Sequence, residues 1–255
     1  MTTHDNAAAV PDNDPTPALK LLWGVDEPHP SRGPRQGLTR ERVVQAAIEV
    51  AEAEGLAALS MRRVAQRLEV GTASLYTYVP GKPELLALML DAMIGDGVLP
   101  HTLPGGWREQ LEAAARSDWE GFRRHPWILQ LASDRPLPGP NLMAWFDSAL
   151  SVLEGTGLTD AERFTVVEGI DGLVRGMARN ATDPASDEGP GESAKTWRAT
   201  RDAFLEEHVD FGRYPHFAAA LGVGAPPGAD EVFEFGLRRM LDGVEGLMRE
   251  RGGAD

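Results

Sequence analysis

Apolar residues recur every three to four positions along most of the chain, which is the spacing that places them on one face of an α-helix. In the segment 39–54 this stripe consists of Val43, Val44, Ala47, Ile48 and Ala51. Comparable stripes predict helices over 61–68, over 72–78, from 82 onward, and over 107–124, 141–154, 160–179, 195–211 and 230–251. No segment requires a strand, so the pattern predicts an all-α fold.

Helix boundaries are marked by residues that suit helix ends. Thr39 and Ser60 stand before the first two stripes, where a hydroxyl can accept a hydrogen bond from a free backbone N–H. Gly55 follows the first stripe as a stop signal. Pro83 lies in the first turn of the helix that begins at 82, where its missing N–H costs nothing.

The chain divides into an extension and two domains. Residues 1–37 are rich in Pro, Asp and Ala and predict a disordered, acidic extension. Within it, the apolar segment 19–23 is a candidate for docking on the folded body. Three arginines close the extension, Arg32, Arg35 and Arg40; they are either a basic arm that reaches DNA or solvated linker charge. Residues 38–95 form one predicted domain and residues 96–255 a second.

Charge is distributed unevenly over these segments. The whole chain has a formal charge of −14, yet residues 32–95 carry eight basic and seven acidic side chains. Residues 96–255 carry 16 basic and 27 acidic side chains. Only the block 32–95 is therefore suited to approach phosphate, and acidic surface elsewhere would disfavour other docking orientations on DNA.

Several classes of protein are disfavoured by what the sequence lacks. Cysteine is absent, which excludes disulfides, thiolate metal sites and cysteine nucleophiles. No secretory signal and no apolar run of about 18 residues is present, so we expect a cytoplasmic protein with no membrane partner. There is no nucleophile elbow, paired metal histidine or phosphate-binding glycine loop, so neither an enzyme nor a metal or other cofactor is expected.

Two short predicted helices joined by a three-residue turn, 60–78, match a helix-turn-helix. Ala65, Val70 and Leu75 supply the small or apolar residues that the crossing of two such helices requires. The second helix would then expose hydroxyl and tyrosine side chains, which suit contacts to phosphates and base edges. The alternative from this pattern alone is a surface helix of any all-α protein.

The longer segment 37–95 favours the helix-turn-helix over a surface helix of any all-α protein. It reads GLTRERVVQAAIEVAEAEGLAALSMRRVAQRLEVGTASLYTYVPGKPELLALMLDAMIG and closely resembles the DNA-binding domain of TetR-family regulators. The resemblance implies a three-helix DNA-binding domain joined by a linking helix to a helical bundle that binds a ligand and dimerises. Glu69 departs from the family pattern, which more often has Gly at this place in the turn, and we expect a small backbone cost there.

The same resemblance implies roles in DNA binding for particular residues. The segment 72–78 would be the recognition helix, and Arg62 in the preceding helix would reach a base, a phosphate or only a surface ion pair. Lys82 would bind a phosphate at the start of the following helix. The candidate DNA-binding residues are Arg40, Arg62, Thr72, Ala73, Ser74, Tyr76, Thr77, Tyr78 and Lys82.

The second domain resembles the C-terminal domain of tetracycline-repressor-like proteins more weakly, chiefly around 122–127. Five of the six tryptophans and all eight phenylalanines lie beyond Gly95, where they either fill the core or line a ligand pocket. Asp171 lies on an otherwise apolar helix and faces either the pocket or solvent. The candidate ligand-binding residues are Trp119, Phe122, Trp127, Trp145, Phe146 and Asp171.

The resemblance implies a homodimer formed by the helices 160–179 and 230–251, which binds a near-palindromic double-stranded operator. We expect a repressor that an apolar or aromatic small molecule releases from DNA. A ligand-independent regulator, a regulator that needs a co-repressor, an activator and an architectural DNA-binding protein stay open as alternatives. An enzyme that uses the helical C-terminal pocket is the alternative from another class.

Overall fold

The structure, a computed structural model, describes residues 14–25, 38–131, 136–182, 192–221 and 227–252. The chain forms two compact units. The first comprises Met1–Asp96 and Gln130–Trp145, and the second comprises Gly97–Leu129 and Phe146–Asp255. The described residues contain helices and no strand, which confirms the predicted all-α class.

Five helices and the start of a sixth build the first unit. They are α1 Thr16–Leu22, α2 Arg40–Glu54, α3 Met61–Arg67, α4 Thr72–Leu75, α5 Lys82–Gly95 and the first turns of α8 Pro140–Val152. The side chains that fill its core come from α2, α3, α4 and α5 and from the segments between them, and they are almost wholly inaccessible to solvent. The largest of them are Leu59, Leu75, Leu85, Met89, Val43, Val64 and Val79.

The apolar segment before the first predicted helix docks as expected. It forms α1, which packs against α5. The Trp23 indole Nε1 donates a hydrogen bond to the carbonyl oxygen of Pro138 at 2.9 Å, and Arg40 Nη1 donates to the carbonyl oxygen of Leu21 at 3.3 Å. The prediction of disorder and the arginines at 32 and 35 fall on residues 1–13 and 26–37, which lie outside the described residues.

Most predicted helix ends of the first unit are confirmed. Thr39 Oγ1 accepts from the Arg42 backbone N–H and Ser60 Oγ accepts from that of Arg63, each at 3.2 Å. Gly55 ends α2 with a φ of +80°, in the left-handed region that favours glycine.

The predicted recognition helix over 72–78 is too long, because the α-helix ends at Leu75. The Leu75 carbonyl then accepts from the backbone N–H of both Tyr78 and Val79, at 2.9 Å each. The chain therefore tightens into a hydrogen-bonded turn after one helical turn, and Pro80 has no N–H with which to continue it.

The second unit contains α6 Trp107–Arg124, α7 Ile128–Leu131, the later turns of α8, α9 Asp160–Thr182, α10 Glu192–His208, α11 Pro215–Leu221 and α12 Ala229–Gly252. The prediction for α6 has the observed bounds, and those for α8, α9, α10 and α12 differ by up to three residues at either end. The short helices α7 and α11 were not predicted. The predicted loop 183–192 lies outside the described residues except for Glu192, which instead begins α10.

Ion pairs fix the alignment of α6 along α12. Arg108 Nη2 lies 2.6 Å from Asp242 Oδ1, and Arg116 Nε lies 2.7 Å from Glu234 Oε1. Because Arg108 and Arg116 lie two helical turns apart, the two bridges together define the register of the helices. Their partly exposed positions mean that they contribute alignment more than stability.

One described segment, Lys82–Thr102, is long and apolar enough to match a membrane span by length and composition alone, contrary to the expectation from the sequence. Its helix α5 has only 14 residues, equivalent to about 21 Å at 1.5 Å per residue. That length falls short of the roughly 30 Å hydrocarbon layer, and α5 packs against α1 and α2. Its apolar residues Leu85, Leu88, Met89 and Leu90 are buried in the first unit.

A buried carboxylate joins α5 to the start of α8. Asp91 on α5 accepts hydrogen bonds from the backbone N–H groups of Leu142 at 3.1 Å and Asn141 at 3.4 Å. The Asn141 amide Nδ2 donates to the Asp91 backbone carbonyl at 3.0 Å. The first N–H groups of a helix have no partner within it and favour a negative charge, so Asp91 satisfies the N-terminus of a helix distant in sequence.

The close approach of these two helices requires glycine at position 139. A Cβ at Gly139 would lie 2.2 Å from Asp91 Oδ1, far inside van der Waals contact. We expect Gly139→Ala to lower the free energy of unfolding by about 1–3 kcal/mol, because either the carboxylate or the backbone must shift. Urea denaturation measures this loss.

A double-mutant cycle identifies the cause of that loss. In an Asp91→Ala background the clashing carboxylate is gone, so Gly139→Ala should cost clearly less than in the wild-type chain. Equal costs in the two backgrounds would show that the clash with Asp91 is not what excludes a side chain at position 139.

Candidate functional site

The turn between α3 and α4 places a non-glycine residue in the left-handed region. Glu69 has a φ of +56° and is the one non-glycine residue with positive φ among the described residues. The Val70 N–H donates to the Ala65 carbonyl at 3.0 Å and the Glu69 N–H to the Gln66 carbonyl at 3.2 Å, which closes the end of α3. The predicted backbone cost at Glu69 is therefore confirmed, since a side chain in this region is strained.

Helix α4 and the turn after it present a polar surface. Leu75 points into the core and is fully buried. Of the residues predicted to bind DNA, Ala73, Tyr76 and Thr77 are exposed, whereas Thr72, Ser74 and Tyr78 are partly exposed. Tyr76 stands out because half of its large side chain is accessible although it lies beside a buried core residue. The hydroxyl-rich composition and this exposure fit contacts with a nucleic acid.

The three arginines of α3 differ in their partners. Arg63 forms an ion pair with Glu54, with Nη2 at 2.6 Å from Oε1, and Arg67 forms one with Glu49 at 2.8 Å. Within the part of the chain that the structure describes, Arg62 is exposed and forms neither an ion pair nor a hydrogen bond. Its guanidinium is thus the one on α3 that is available to a DNA base or phosphate.

Two other predicted DNA contacts have partners inside the protein. Lys82 Nζ donates to the Leu59 carbonyl at 2.8 Å, which ties the N-terminus of α5 to the residue before the N-cap of α3. The ammonium group retains two further donors, and the side chain is exposed. The half-buried Arg40 bonds to Leu21 of α1. Phosphate binding by Lys82 and DNA binding by Arg40 stay predictions.

In the second unit, two candidate pocket residues are core residues. Trp119 stacks on Phe233 of α12 with ring centroids 4.5 Å apart, and its Nε1 donates to Asp230 Oδ1 at 2.8 Å. The Arg123 guanidinium also lies over the Trp119 ring, 5.8 Å from the ring centroid. Trp127 is also buried. Trp119 and Trp127 are thus part of the packed interior of the second unit.

The remaining aromatic candidates are partly accessible. Phe122 lies on α6 one turn beyond Trp119, and Phe146 lies 6.1 Å from Phe164 of α9, ring centroid to ring centroid. Trp145 belongs to the first unit and the other five candidates to the second. Phe164 is half exposed, whereas Val166 and Val167 in the same turn of α9 are buried.

Carboxyl groups lie on the inward faces of both α6 and α9. Asp171 of α9 is partly buried and its Oδ2 lies 2.6 Å from Nη2 of Arg175, so the side chain faces the interior rather than open solvent. Burial nevertheless raises the pKa of Asp171. Glu168 and Asn180, two other polar residues of α9, are exposed.

Asp118 of α6 was missed by the reasoning from sequence. Burial, and secondarily the negative charge of Asp171, raise its pKa from 3.8 to about 7. Its position could have been found from the apolar spacing, because Leu111, Ala114, Ala115 and Phe122 place residue 118 on the same face of the helix. The described residues contain no group of three or more potential metal ligands.

Comparison with known proteins gives matches to both halves of the chain. Residues 43–89 match the family described as bacterial regulatory proteins of the tetR family, and residues 99–248 match the tetracyclin repressor-like C-terminal domain. The chain belongs to the TetR family. It is therefore a DNA-binding transcriptional regulator rather than an enzyme.

Individual TetR-family proteins are similar to this chain over most of their length. The HTH-type transcriptional repressor DrrR1 of Streptomyces coeruleorubidus is 45% identical over 238 residues, covering 92% of this chain and 87% of that protein. The repressor Rv1353c of Mycobacterium tuberculosis is 28% identical over 232 residues, which cover 86% and 85% of the two chains. The crystal structure of ActR from Streptomyces coelicolor in complex with actinorhodin has a TM-score of 0.71 and 30% identity, covering 82% and 96%.

Because Arg62 of α3 is unpaired among the described residues and Arg63 forms an ion pair, substitutions of these two arginines test which of them contacts DNA. We expect Arg62→Ala to weaken binding to an operator selected from a random duplex pool by about tenfold or more, because an unpaired guanidinium then no longer reaches the DNA. Arg63→Ala is the matched control and should change the affinity much less. Fluorescence anisotropy at fixed salt measures both, and similar effects of the two substitutions would contradict the assignment.

Stability should depend on pH through Asp118. Its pKa in the folded state is raised from 3.8 to about 7, so the folded chain binds more protons than the unfolded chain between these values. The free energy of unfolding should therefore fall as pH rises through this window, by up to about 1.4 kcal/mol per pH unit from this group.

The Asp118→Asn variant should lose this part of the pH dependence and be more stable than the wild type above the window. Urea denaturation across the window, with both proteins in parallel, measures the difference. Because Asp171 titrates in the same direction, only the difference between the two proteins reports on Asp118. Parallel pH profiles would refute the assignment.

Proposed function

We propose that this regulator is a repressor that binds a near-palindromic operator as a homodimer and is released by a small-molecule effector, in the cytoplasm. The observation that carries the proposal is the surface formed by α4 and Arg62, which combines exposed hydroxyl and tyrosine groups with an unpaired guanidinium. Similarity to proteins named as repressors, at 45% identity in one case, supports the direction of control.

Dimerisation would involve α9 and α12, as in the prediction from sequence. Both helices leave large apolar side chains exposed after their inward faces are packed: Phe164 on α9, and Val232 and Phe235 on α12. Phe235 is 62% exposed, which is unusual for a phenylalanine within a 24-residue helix. A twofold dimer would bring two copies of α4 to successive major grooves of an operator.

Release by an effector needs a connection from the sensing half to α4. The helix α8 is continuous, with its first turns in the first unit and its later turns in the second. Asp91 fastens the first turn of α8 to α5, and Lys82 fastens the other end of α5 beside Ser60, the N-cap of α3. A ligand that displaces α8 would therefore move α5 and change the position of α3 and α4. A coupling of about 1–3 kcal/mol gives clear release.

The effector site is proposed in the second unit, between α6 and α9. These helices pack along each other, and the partly accessible residues Phe122 and Asp171 lie on them. The complex of ActR with actinorhodin, a solved structure at 30% identity, supports small-molecule binding by a protein of this fold.

Operator binding is tested with two tyrosines of equal exposure. Tyr76 beside α4 is 50% exposed and Tyr214 in the second unit is 53% exposed. We expect Tyr76→Ala to weaken operator binding by about tenfold or more and Tyr214→Ala to leave it nearly unchanged, because only Tyr76 lies on the proposed DNA surface. Anisotropy of a labelled operator selected in vitro measures both, with a scrambled duplex as the reference.

Three outcomes would change the proposal. Equal binding of scrambled and selected DNA would favour an architectural protein. Operator binding that increases when a small molecule is added would favour a co-repressor. A monomer on the operator, measured by sedimentation, would refute the dimeric arrangement.

A further inference from the structure

A pair of carboxyl groups lies in the helix contact that the proposed effector site uses. Asp118 interrupts the inward face of α6, between Ala115 and Phe122. Asp171 interrupts the inward face of α9, between Val167 and Val174, which are buried. The two groups are close enough for the charge of Asp171 to act on Asp118. Each of the two packed helices therefore contributes one carboxyl group to an otherwise apolar contact.

Of the two carboxyl groups, only Asp171 has a cation as a partner among the described residues. Arg175, one turn beyond Asp171 on α9, forms an ion pair with Asp171 at 2.6 Å. Asp118 has no such partner: within the described part of the chain it accepts no hydrogen bond and forms no ion pair. When both carboxyl groups are ionised, the trio of Asp118, Asp171 and Arg175 carries one uncompensated negative charge.

Asp118 is largely enclosed by protein without being fully buried. Protein atoms surround it on nearly all sides, yet the residue retains accessible surface and is not sealed in the core. A carboxyl group in such a place without a donor or a cation is costly, and at position 118 the packing of α6 would accept an apolar residue. The Asp118 carboxyl group is thus left able to accept a hydrogen bond and to pair with a positive charge, both of which a bound ligand could supply.

We propose that Asp118 and Asp171 bind the protonated amine of a cationic aromatic effector. An ammonium group donates several hydrogen bonds and would supply both the donor and the positive charge that Asp118 lacks. Phe122, one turn along α6 on the same face, would contact the aromatic part of the molecule. This inference rests on the proposed function, because it names the chemical class of the molecule that the second unit senses.

The test uses three tricyclic probes of similar shape and different charge: 9-(aminomethyl)anthracene, which carries an ammonium group, 9-(hydroxymethyl)anthracene, which is neutral, and anthracene-9-carboxylate, which is an anion. Each is titrated calorimetrically into the full-length protein without DNA. We expect the cation to bind about tenfold or more tightly than the neutral probe and the anion to bind most weakly, because of the uncompensated charge.

Variants on one helix separate this site from general electrostatic attraction. Asp118→Asn should reduce the preference for the cation over the neutral probe to about threefold or less, and Asp118→Glu should retain part of it. Glu120→Gln removes the same charge from an exposed position of α6, two residues away, and should keep the full preference. A thermal melt of each variant verifies that it is folded.

The proposal is overturned if the cationic probe binds no better than the neutral one, if none of the three binds, or if Asp118→Asn and Glu120→Gln have equal effects. Operator binding by the same wild-type preparation is measured in parallel. Intact operator binding with no preference for the cation refutes the effector class alone. Loss of operator binding in the wild type would instead contradict the proposed function.

Discussion

The hydrogen bonds between Asp91 and the first turn of α8 hold two helices of the first unit together that lie far apart in the sequence. They take a carboxylate out of water, which is tolerated because two backbone N–H groups at a helix N-terminus receive it. Gly139 allows the backbone to approach that carboxylate. A chain segment 50 residues away is thereby fixed on α5, the helix whose N-terminus lies beside the DNA-binding helices.

The elements of the proposed DNA-binding surface are connected to α5 one after another. Lys82 at the N-terminus of α5 holds the Leu59 carbonyl, and Ser60 then caps α3. Helix α3 pairs two of its arginines with glutamates of α2 and leaves Arg62 exposed. Because each element is tied to the next by hydrogen bonds rather than by loops alone, a displacement of α5 would be passed to α3 and α4.

The second unit combines a rigid side with a polar and partly accessible side. Along α12, the helix α6 is held by ion pairs and by the stack of Trp119 on Phe233. Along α9, the same helix places Asp118 against a second carboxyl group. The acidic residues of the second unit thus differ in their partners. Those between α6 and α12 form ion pairs with arginines, whereas Asp118 forms none within the described part of the chain.

The local signals in the sequence predicted most of the helices, their caps and the family. Helical spacing and capping chemistry act over a few residues, so α2, α6 and α12 and the caps Thr39 and Ser60 could be found without a structure. The early end of α4 at Leu75 could not, because it depends on which N–H groups reach one carbonyl in the folded chain.

Long-range pairing was decided by the tertiary structure alone. The sequence suggested Arg62, Lys82, Trp119 and Asp171 by residue type, but not that Lys82 holds Leu59, that Trp119 is packed on Phe233, or that Asp171 has Arg175 beside it. The apolar spacing of α6 places Asp118 on the inward face, but which group lies opposite it depends on the helix that packs there. Its charge state depends on burial and on Asp171, a residue of another helix, and both arise only when α6 and α9 pack together.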